Sequence, residues 1–350
     1  MRCVGCRRPW QGGPVRAVGS RSERTPTPSP GDGSPWAYWT MTFNPGQFFT
    51  HVALNRDVFG LASPESLFAA VQGSSLADLS LPGKPPGLRW FFRGQRDASW
   101  GITSNLYRHL KPSVPVTGER YEPDMLAREK VVLRQMRGQG LGRVMSDGEL
   151  LMVLQHHGIP TRLIDVSERA LEALFFAVEK EDTTNGRLFL LGLLPENSES
   201  VALAGEWREP RFWAGYGRGR TQAVAAWTNR IYVVEDGSLD PRMRAQRGKF
   251  LVGGLPKAYA GSAAYMLENG DALSRAQVQG VSNLSITFPK QSARKHATAR
   301  AAVGWNIEIP GDWKPRLRHL LEAQEVSPDH MYPPFAESKR LGEYFAKHGN

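Results

Sequence analysis

Cysteine is almost absent from the 350-residue chain, in which only Cys3 and Cys6 occur. Two cysteines exclude a scaffold of disulfides, and the Cys-x-x-Cys pair is half of a zinc site without a second Cys/His pair near it. No metal is therefore expected. The chain also lacks a run of about 18 apolar residues and the apolar stretch of a secretory signal. These absences predict a cytoplasmic protein with no membrane partner.

The common catalytic and nucleotide-binding fingerprints are missing as well. The sequence contains no Walker loop, no Gly-x-Gly-x-x-Gly fingerprint, no Ser-His-Asp order and no cluster of metal ligands. His156 and His157 are adjacent on a predicted helix, so they cannot both face one site. Residues outside these common motifs must therefore carry the function.

Charge and composition divide the chain before any motif is considered. The formal net charge is +10, and residues 1–40 contribute six arginines, two acids and many prolines and glycines. Such a segment has too little apolar surface to order itself, which predicts a disordered basic tail. Residues 41–84 are predicted to form an N-terminal helical segment. Residues 256–350 are predicted to supply a strand and helices that complete the same globule as the central region.

The apolar patterns predict a mixed α+β fold. Bulky runs at 88–92, 187–193, 231–234 and 284–288 are typical of buried strands. Residues 170–178 are apolar almost all round, which indicates a central helix. Because helices and strands alternate without regular βαβ spacing, we expect a mixed sheet core with surrounding helices.

The first candidate site residue follows the run from Leu88 to Phe92. We expect the Arg93 guanidinium to emerge at the end of this buried strand, where Gly94 allows the backbone to turn. A guanidinium supplies five donors in a rigid fork and suits a phosphate or carboxylate. Arg96 lies close by, and Asp97 is the one obvious acid beside either arginine. An anionic ligand is therefore favoured over a structural ion pair.

The second candidate lies about seventy residues later. If the chain is extended there, Thr161 and Asp165 share one face and Arg162 lies on the other. Ser167 is predicted to cap the following helix, which leaves Asp165 free for function. A buried pair of Arg162 with Asp165 is the structural alternative. His157 lies at a helix carboxyl end, where it either binds a ligand or serves as a cap.

Three segments in this order resemble the FRG family, which is named for its Phe/Tyr-Arg-Gly motif. The motif is Phe92-Arg93-Gly94, the second block runs from His157 to Ala177, and the third is Gln246-Arg247-Gly248-Lys249-Phe250. The resemblance assigns residues 85–255 to an FRG domain. Because polar groups next to buried strands face a cleft or each other, we expect the three segments to meet in one cleft.

A more distant resemblance connects the same segments with mono-ADP-ribosyltransferases, often found in toxins and bacterial defence. It implies an ADP-ribosyltransferase-like fold with NAD as substrate and a protein or nucleic-acid acceptor. The chain departs from that pattern at Gln246 and Gly248, where a glutamate is expected, so Asp165 either supplies the carboxylate or the site binds a nucleotide without turnover. The implied catalytic residues are Asp165, Thr161 and Gln246, and the implied cofactor-binding residues are Arg93, Gly94, Gln95, Arg96, Arg162 and His157.

A different class of function remains open at this point. Basic side chains cluster near the C-terminus, and they suggest a nucleic-acid-binding or partner-binding module as an alternative to an enzyme or a nucleotide sensor. The alternative is a solvated helix surface. The residues are Arg294, Lys295, His296 and Arg300 on one predicted helix, and Arg316, Arg318 and His319 on another.

Overall fold

The computed structural model describes residues 43–73, 76, 79–110, 121–202, 227–235, 244–256, 265–293 and 301–332. The chain divides into two units, Met1–Thr42 and Phe43–Asn350. The predicted tail and the predicted basic helix that contains Arg294 lie outside the described residues. Every described residue belongs to the second unit.

Helices and strands alternate irregularly along this unit. The helices are α1 (Pro45–His51), α2 (Pro64–Gln72), α3 (Asn105–His109), α4 (Tyr121–Gly138), α5 (Asp147–His156), α6 (Ala170–Val178), α7 (Arg275–Val281), α8 (Lys314–Glu322) and α9 (Pro328–Met331). The strands are β1 (Arg89–Gln95), β2 (Ile164–Ser167), β3 (Gly186–Leu193), β4 (Ser198–Ala202), β5 (Ile231–Glu235), β6 (Gly248–Val252), β7 (Ile286–Thr287) and β8 (Ala302–Ile309).

The described strands form one mixed sheet of eight strands in the order β4-β5-β6-β2-β1-β3-β8-β7. The β4/β5 and β7/β8 pairs are parallel and the others are antiparallel. β1 lies near the centre, where it pairs with β3 along its whole length and with β2 at Phe92 and Ser167. A mixed sheet core with surrounding helices is thus confirmed.

The two faces of β1 enter different hydrophobic layers, because successive strand residues point to opposite sides of a sheet. Phe92 packs in a layer that includes α2, α6 and α8. Phe91 packs on the other face with residues of α1 and α7. Helix α6 contacts β1 beneath it and α2 and α8 beside it, which explains why its sequence is apolar almost all round.

Gly94 allows α6 to approach the sheet closely. A Cβ atom at this position would lie 1.7 Å from the carbonyl oxygen of Ala173 and 2.7 Å from the backbone nitrogen of Ala177. The predicted turn at Gly94 is therefore wrong: β1 continues to Gln95, with Gly94 opposite Leu188. Glycine is required by the close backbone packing and not by a turn.

Candidate functional site

A cleft of about 450 Å³ lies beside the carboxyl half of β1. Its walls come from β1, β2, β6 and α6, together with parts of α3, α5 and the segment after α9. Of the residues predicted from the sequence, six line the cleft: Arg93, Gly94, Gln95, Arg96, Asp165 and Gln246. The structure thus brings the three sequence segments together, although they are far apart along the chain.

Arg93 places a largely buried positive charge in this cleft. Its side chain is 15% exposed, against 59% for that of Asp165. Nη1 donates a hydrogen bond to the backbone oxygen of Asp165 at 2.5 Å and lies 3.9 Å from the carboxylate oxygen Oδ2. Nε has no hydrogen-bond partner among the described residues. Burial lowers the pKa of Arg93, and the charge of Asp165 opposes this shift.

Gln155 forms hydrogen bonds with both Thr161 and Asp165, the two residues that the sequence placed on one face of an extended segment. The Thr161 hydroxyl donates to Gln155 Oε1 at 2.6 Å, and Gln155 Nε2 donates to Asp165 Oδ2 at 2.8 Å. The amide is therefore oriented at both ends, and it holds the exposed carboxylate toward the cleft. Thr161 is buried and does not line the cleft, whereas Gln155 does.

Gln246 links β2 to the C-terminal part of the fold. Its backbone oxygen accepts a hydrogen bond from Ser167 Oγ at 2.9 Å, and its side-chain Nε2 donates to the Met331 carbonyl at 2.9 Å. The predicted Ser167 helix cap is wrong, because α6 begins after Arg169 and has no side-chain cap among the described residues. Ser167 instead ties the motif segments together.

Arg96 does not carry an unpaired charge. Its guanidinium lies 3.8 Å from Glu179 Oε1 and 3.2 Å from Glu181 Oε1, and it sits over the Trp100 ring at 5.4 Å. Both acids follow the end of α6, and neither is close to Arg96 in the sequence. The sequence offered Asp97 as the one obvious acid near Arg96, and for Arg96 the expectation that it lacks a structural ion pair is wrong.

Arg162 lies outside the cleft, in a buried ion-pair network. Its side chain is 2% exposed, with Nη1 2.8 Å from Glu122 Oε1 and Nε 3.0 Å from Glu129 Oε2. Burial acts to lower the pKa of Arg162, but the two glutamates together raise it. Glu122 also accepts a hydrogen bond from Trp227 Nε1 at 3.0 Å. Arg162 thus pairs with these glutamates and not with Asp165, and it does not line the cleft.

His157 lies outside the cleft as well. It is exposed and forms the C-cap of α5, one residue before Gly158, whose φ is 73°. The neighbouring His156 lines the cleft instead. Only one of the two adjacent histidines therefore reaches the cleft, as expected because neighbouring residues on a helix cannot face the same site.

Two cations of the cleft were missed from the sequence. Arg108 in α3 lines it and donates through Nη1 to the Thr103 carbonyl at 2.6 Å. Burial lowers the pKa of Arg108, and the Asp165 carboxylate opposes this shift. Lys249 in β6 also lines the cleft and has no ion-pair partner among the described residues. Lys249 could have been identified from the sequence, because it is a charged residue in the otherwise apolar strand β6.

Helix α6 carries a buried carboxyl group behind the cleft. Burial raises the pKa of Glu172 above its ordinary value of 4.5, and Arg169, 3.4 Å away, opposes the shift. The folded protein therefore keeps this proton to a higher pH than the unfolded chain does. The contribution of Glu172 to stability is largest at low pH and falls as the pH rises from about 4.5 through the raised folded pKa.

We expect Glu172→Gln to remove this pH dependence. The variant keeps the shape of the side chain but cannot ionise, so it should gain stability relative to the wild type as the pH rises toward neutrality. Urea unfolding of both proteins between pH 4 and pH 8 measures the difference. If the difference in unfolding free energy stays constant over this range, burial does not raise the pKa of Glu172 in the folded protein.

Residues 88–186 match the family model of the FRG domain. The matched segment contains β1, β2 and α6, and with them Arg93, Gln155 and Asp165, while Gln246 and Lys249 lie beyond it. The match supports the FRG family indicated by the motifs. No curated protein and no solved structure matches the chain.

Among the described residues, no helix combines the length and apolar character needed to cross a bilayer. Nor do they contain a group of three His, Cys, Asp or Glu side chains that could hold a metal ion.

Proposed function

We propose that the cleft binds NAD and that the protein transfers ADP-ribose from it or hydrolyses it. The observation that carries the proposal is Arg93: a largely buried guanidinium lines the cleft, and one of its nitrogens has no partner among the described residues. A buried donor without a partner is costly, and an anionic ligand such as a pyrophosphate would satisfy it.

The charges around Arg93 support an anionic ligand. Four cationic side chains line the cleft against two carboxylates. Arg96 is already engaged by Glu179, so Arg93, Arg108 and Lys249 face the single carboxylate of Asp165. Such an excess of positive charge in a concave, partly desolvated site attracts phosphate groups. The four cations are Arg93, Arg96, Arg108 and Lys249.

Asp165 is the best candidate for the carboxylate that an ADP-ribosyl transfer needs. In hydrolysis, the bond between nicotinamide and the ribose carbon breaks and its electron pair leaves with nicotinamide. Water then attacks the oxocarbenium-like carbon and releases a proton, which gives ADP-ribose and nicotinamide. Asp165 would stabilise the positive charge on the ribose, and Gln155 would hold that carboxylate in place. This assignment replaces the glutamate that Gln246 and Gly248 do not provide.

A non-catalytic nucleotide sensor would use the same cations without bond cleavage. A nucleic-acid-binding module is less well supported, because two of its predicted cations are engaged within the protein. Arg316 contacts Glu65 at 2.7 Å, and Arg318 contacts both carboxylate oxygens of Asp182 at 2.6 and 2.7 Å. The remaining cluster around Arg294 lies outside the described residues.

Arg93→Ala is expected to weaken NAD binding by roughly 10- to 150-fold, because it removes a charge-assisted contact to phosphate. Isothermal titration calorimetry measures the affinity. Arg316→Ala is the matched control, since it removes an arginine that lies outside the cleft, and its affinity should equal that of the wild type. An unchanged dissociation constant for Arg93→Ala would contradict the proposal.

Asp165→Asn separates the enzyme from the sensor. We expect this variant to retain NAD binding but to lose the release of nicotinamide, which chromatography of the reaction mixture detects. If the wild type binds NAD without releasing nicotinamide, in the presence or absence of protein and nucleic-acid acceptors, the sensor is correct and the transferase is not.

A further inference from the structure

Gln95 presents an unused hydrogen-bond acceptor beside the cleft. The residue lies at the end of β1 and is 3% exposed, yet it lines the cleft. Its Nε2 donates to the Gly101 carbonyl at 3.0 Å, whereas its Oε1 has no partner among the described residues. Buried side-chain oxygens are nearly always satisfied, so this one requires an explanation.

The orientation of the amide is fixed by its neighbour. A carbonyl oxygen such as that of Gly101 can only accept a hydrogen bond, so the NH₂ group of Gln95 must face it. The opposite orientation would bring two oxygens together. The free group of Gln95 is therefore an acceptor, and a partner that satisfies it must be a donor.

We infer that Gln95 selects a ligand with an NH₂ group attached to a ring, either directly or as part of a carboxamide, which donates an N–H to Oε1. The inference rests on the proposed binding of NAD and names the chemistry by which the cleft recognises it. Two groups of NAD have this chemistry: the carboxamide of nicotinamide and the amino group of adenine. Phosphate and ribose hydroxyl groups are placed instead by Arg93 and its neighbours. A ligand without the amino group leaves a buried acceptor unsatisfied, which lowers affinity.

Three dinucleotides test the inference by calorimetry on the full chain. They are NAD, nicotinic acid adenine dinucleotide, in which a carboxylate replaces the carboxamide, and nicotinamide hypoxanthine dinucleotide, in which an oxygen replaces the adenine amino group. We expect NAD to bind at least about 10-fold more tightly than one of the two analogues. The analogue that is rejected identifies the ring that lies against Gln95.

Gln95→Met should abolish this discrimination, because methionine fills the same space without an acceptor. Gln279→Met is the matched control. Gln279 is 1% exposed, and its amide has the same pattern, with Nε2 donating to the Pro256 carbonyl at 3.4 Å and Oε1 without a partner among the described residues, but it does not line the cleft. This variant should discriminate as the wild type does, and melting curves verify that both variants are folded.

Each outcome decides between the two proposals. Equal binding of all three dinucleotides to the wild type, or a preference that persists in Gln95→Met, overturns the role of Gln95 and leaves NAD binding intact. If none of the three binds the wild type, the proposed function itself fails. The comparison of the three dinucleotides on the unaltered protein does not depend on whether a variant folds, and the melting curves establish folding for Gln95→Met.

Discussion

Gly94→Ala is expected to destabilise the protein by about 3 kcal/mol or more, and soluble protein should be scarce. The added methyl group would lie 1.7 Å from the Ala173 carbonyl oxygen. The backbone that carries the methyl group is held in place by the β1/β3 ladder, and the carbonyl oxygen is held by the turns of α6. Relief would require the whole helix to move away from the sheet. Urea unfolding and the yield of soluble protein measure the effect.

Gly138→Ala provides the control for this substitution. Gly138 is the last residue of α4, and a Cβ atom there would meet nothing within 4 Å. Alanine should therefore change stability by no more than about 1 kcal/mol, and in the favourable direction, since alanine favours helix over glycine. A Gly94→Ala protein as stable as Gly138→Ala would contradict the close packing of α6 on β1.

Arg162→Met is expected to cost about 3 to 5 kcal/mol of folding free energy. Methionine fills much of the space, but Glu122 and Glu129 then lose the buried cation that both contact. Carboxylates held away from water prefer to be protonated, so the loss should be smaller at acid pH. Urea unfolding at pH 5 and pH 8 measures both the loss and its pH dependence.

Two further variants show whether the buried charges cause this loss. Arg316→Met removes an exposed arginine whose partner is Glu65, and because exposed pairs contribute little, its stability should stay close to that of the wild type. Adding Glu129→Gln to Arg162→Met removes one uncompensated carboxylate and should restore part of the stability. If the double variant is no more stable than Arg162→Met alone, lost packing and not stranded charge explains the effect.

The core elements were predictable because their sequences are extreme. The run into Arg93 and the helix from Ala170 to Val178 are apolar on almost every side, as is typical of elements buried on two faces. Arg93 and Asp165 stood out because charged groups adjoin those segments. The match of residues 88–186 to the FRG domain supports the family that the same residues indicated.

The partners of the arginines were not predictable in the same way. The acids that engage Arg162 lie 33 and 40 residues before it, and those that engage Arg96 follow the end of α6. Sequence proximity is a poor guide to such pairs, because the fold brings distant helices together. Arg108 escaped notice for a related reason: it belongs to a helix of five residues without an apolar pattern long enough to interpret.

The walls of the cleft come from two parts of the chain, of which only one matches the FRG domain. The FRG-matching segment supplies Arg93 and Asp165, whereas Gln246, Lys249 and Tyr332 come from chain beyond it. The two parts are joined by the 2.9 Å hydrogen bond from Ser167 to the Gln246 backbone oxygen and by a 2.7 Å bond from Tyr332 to Glu179. Substitutions in the downstream part can therefore reshape the cleft while the motif residues stay unchanged, so proteins that share this motif need not share a ligand.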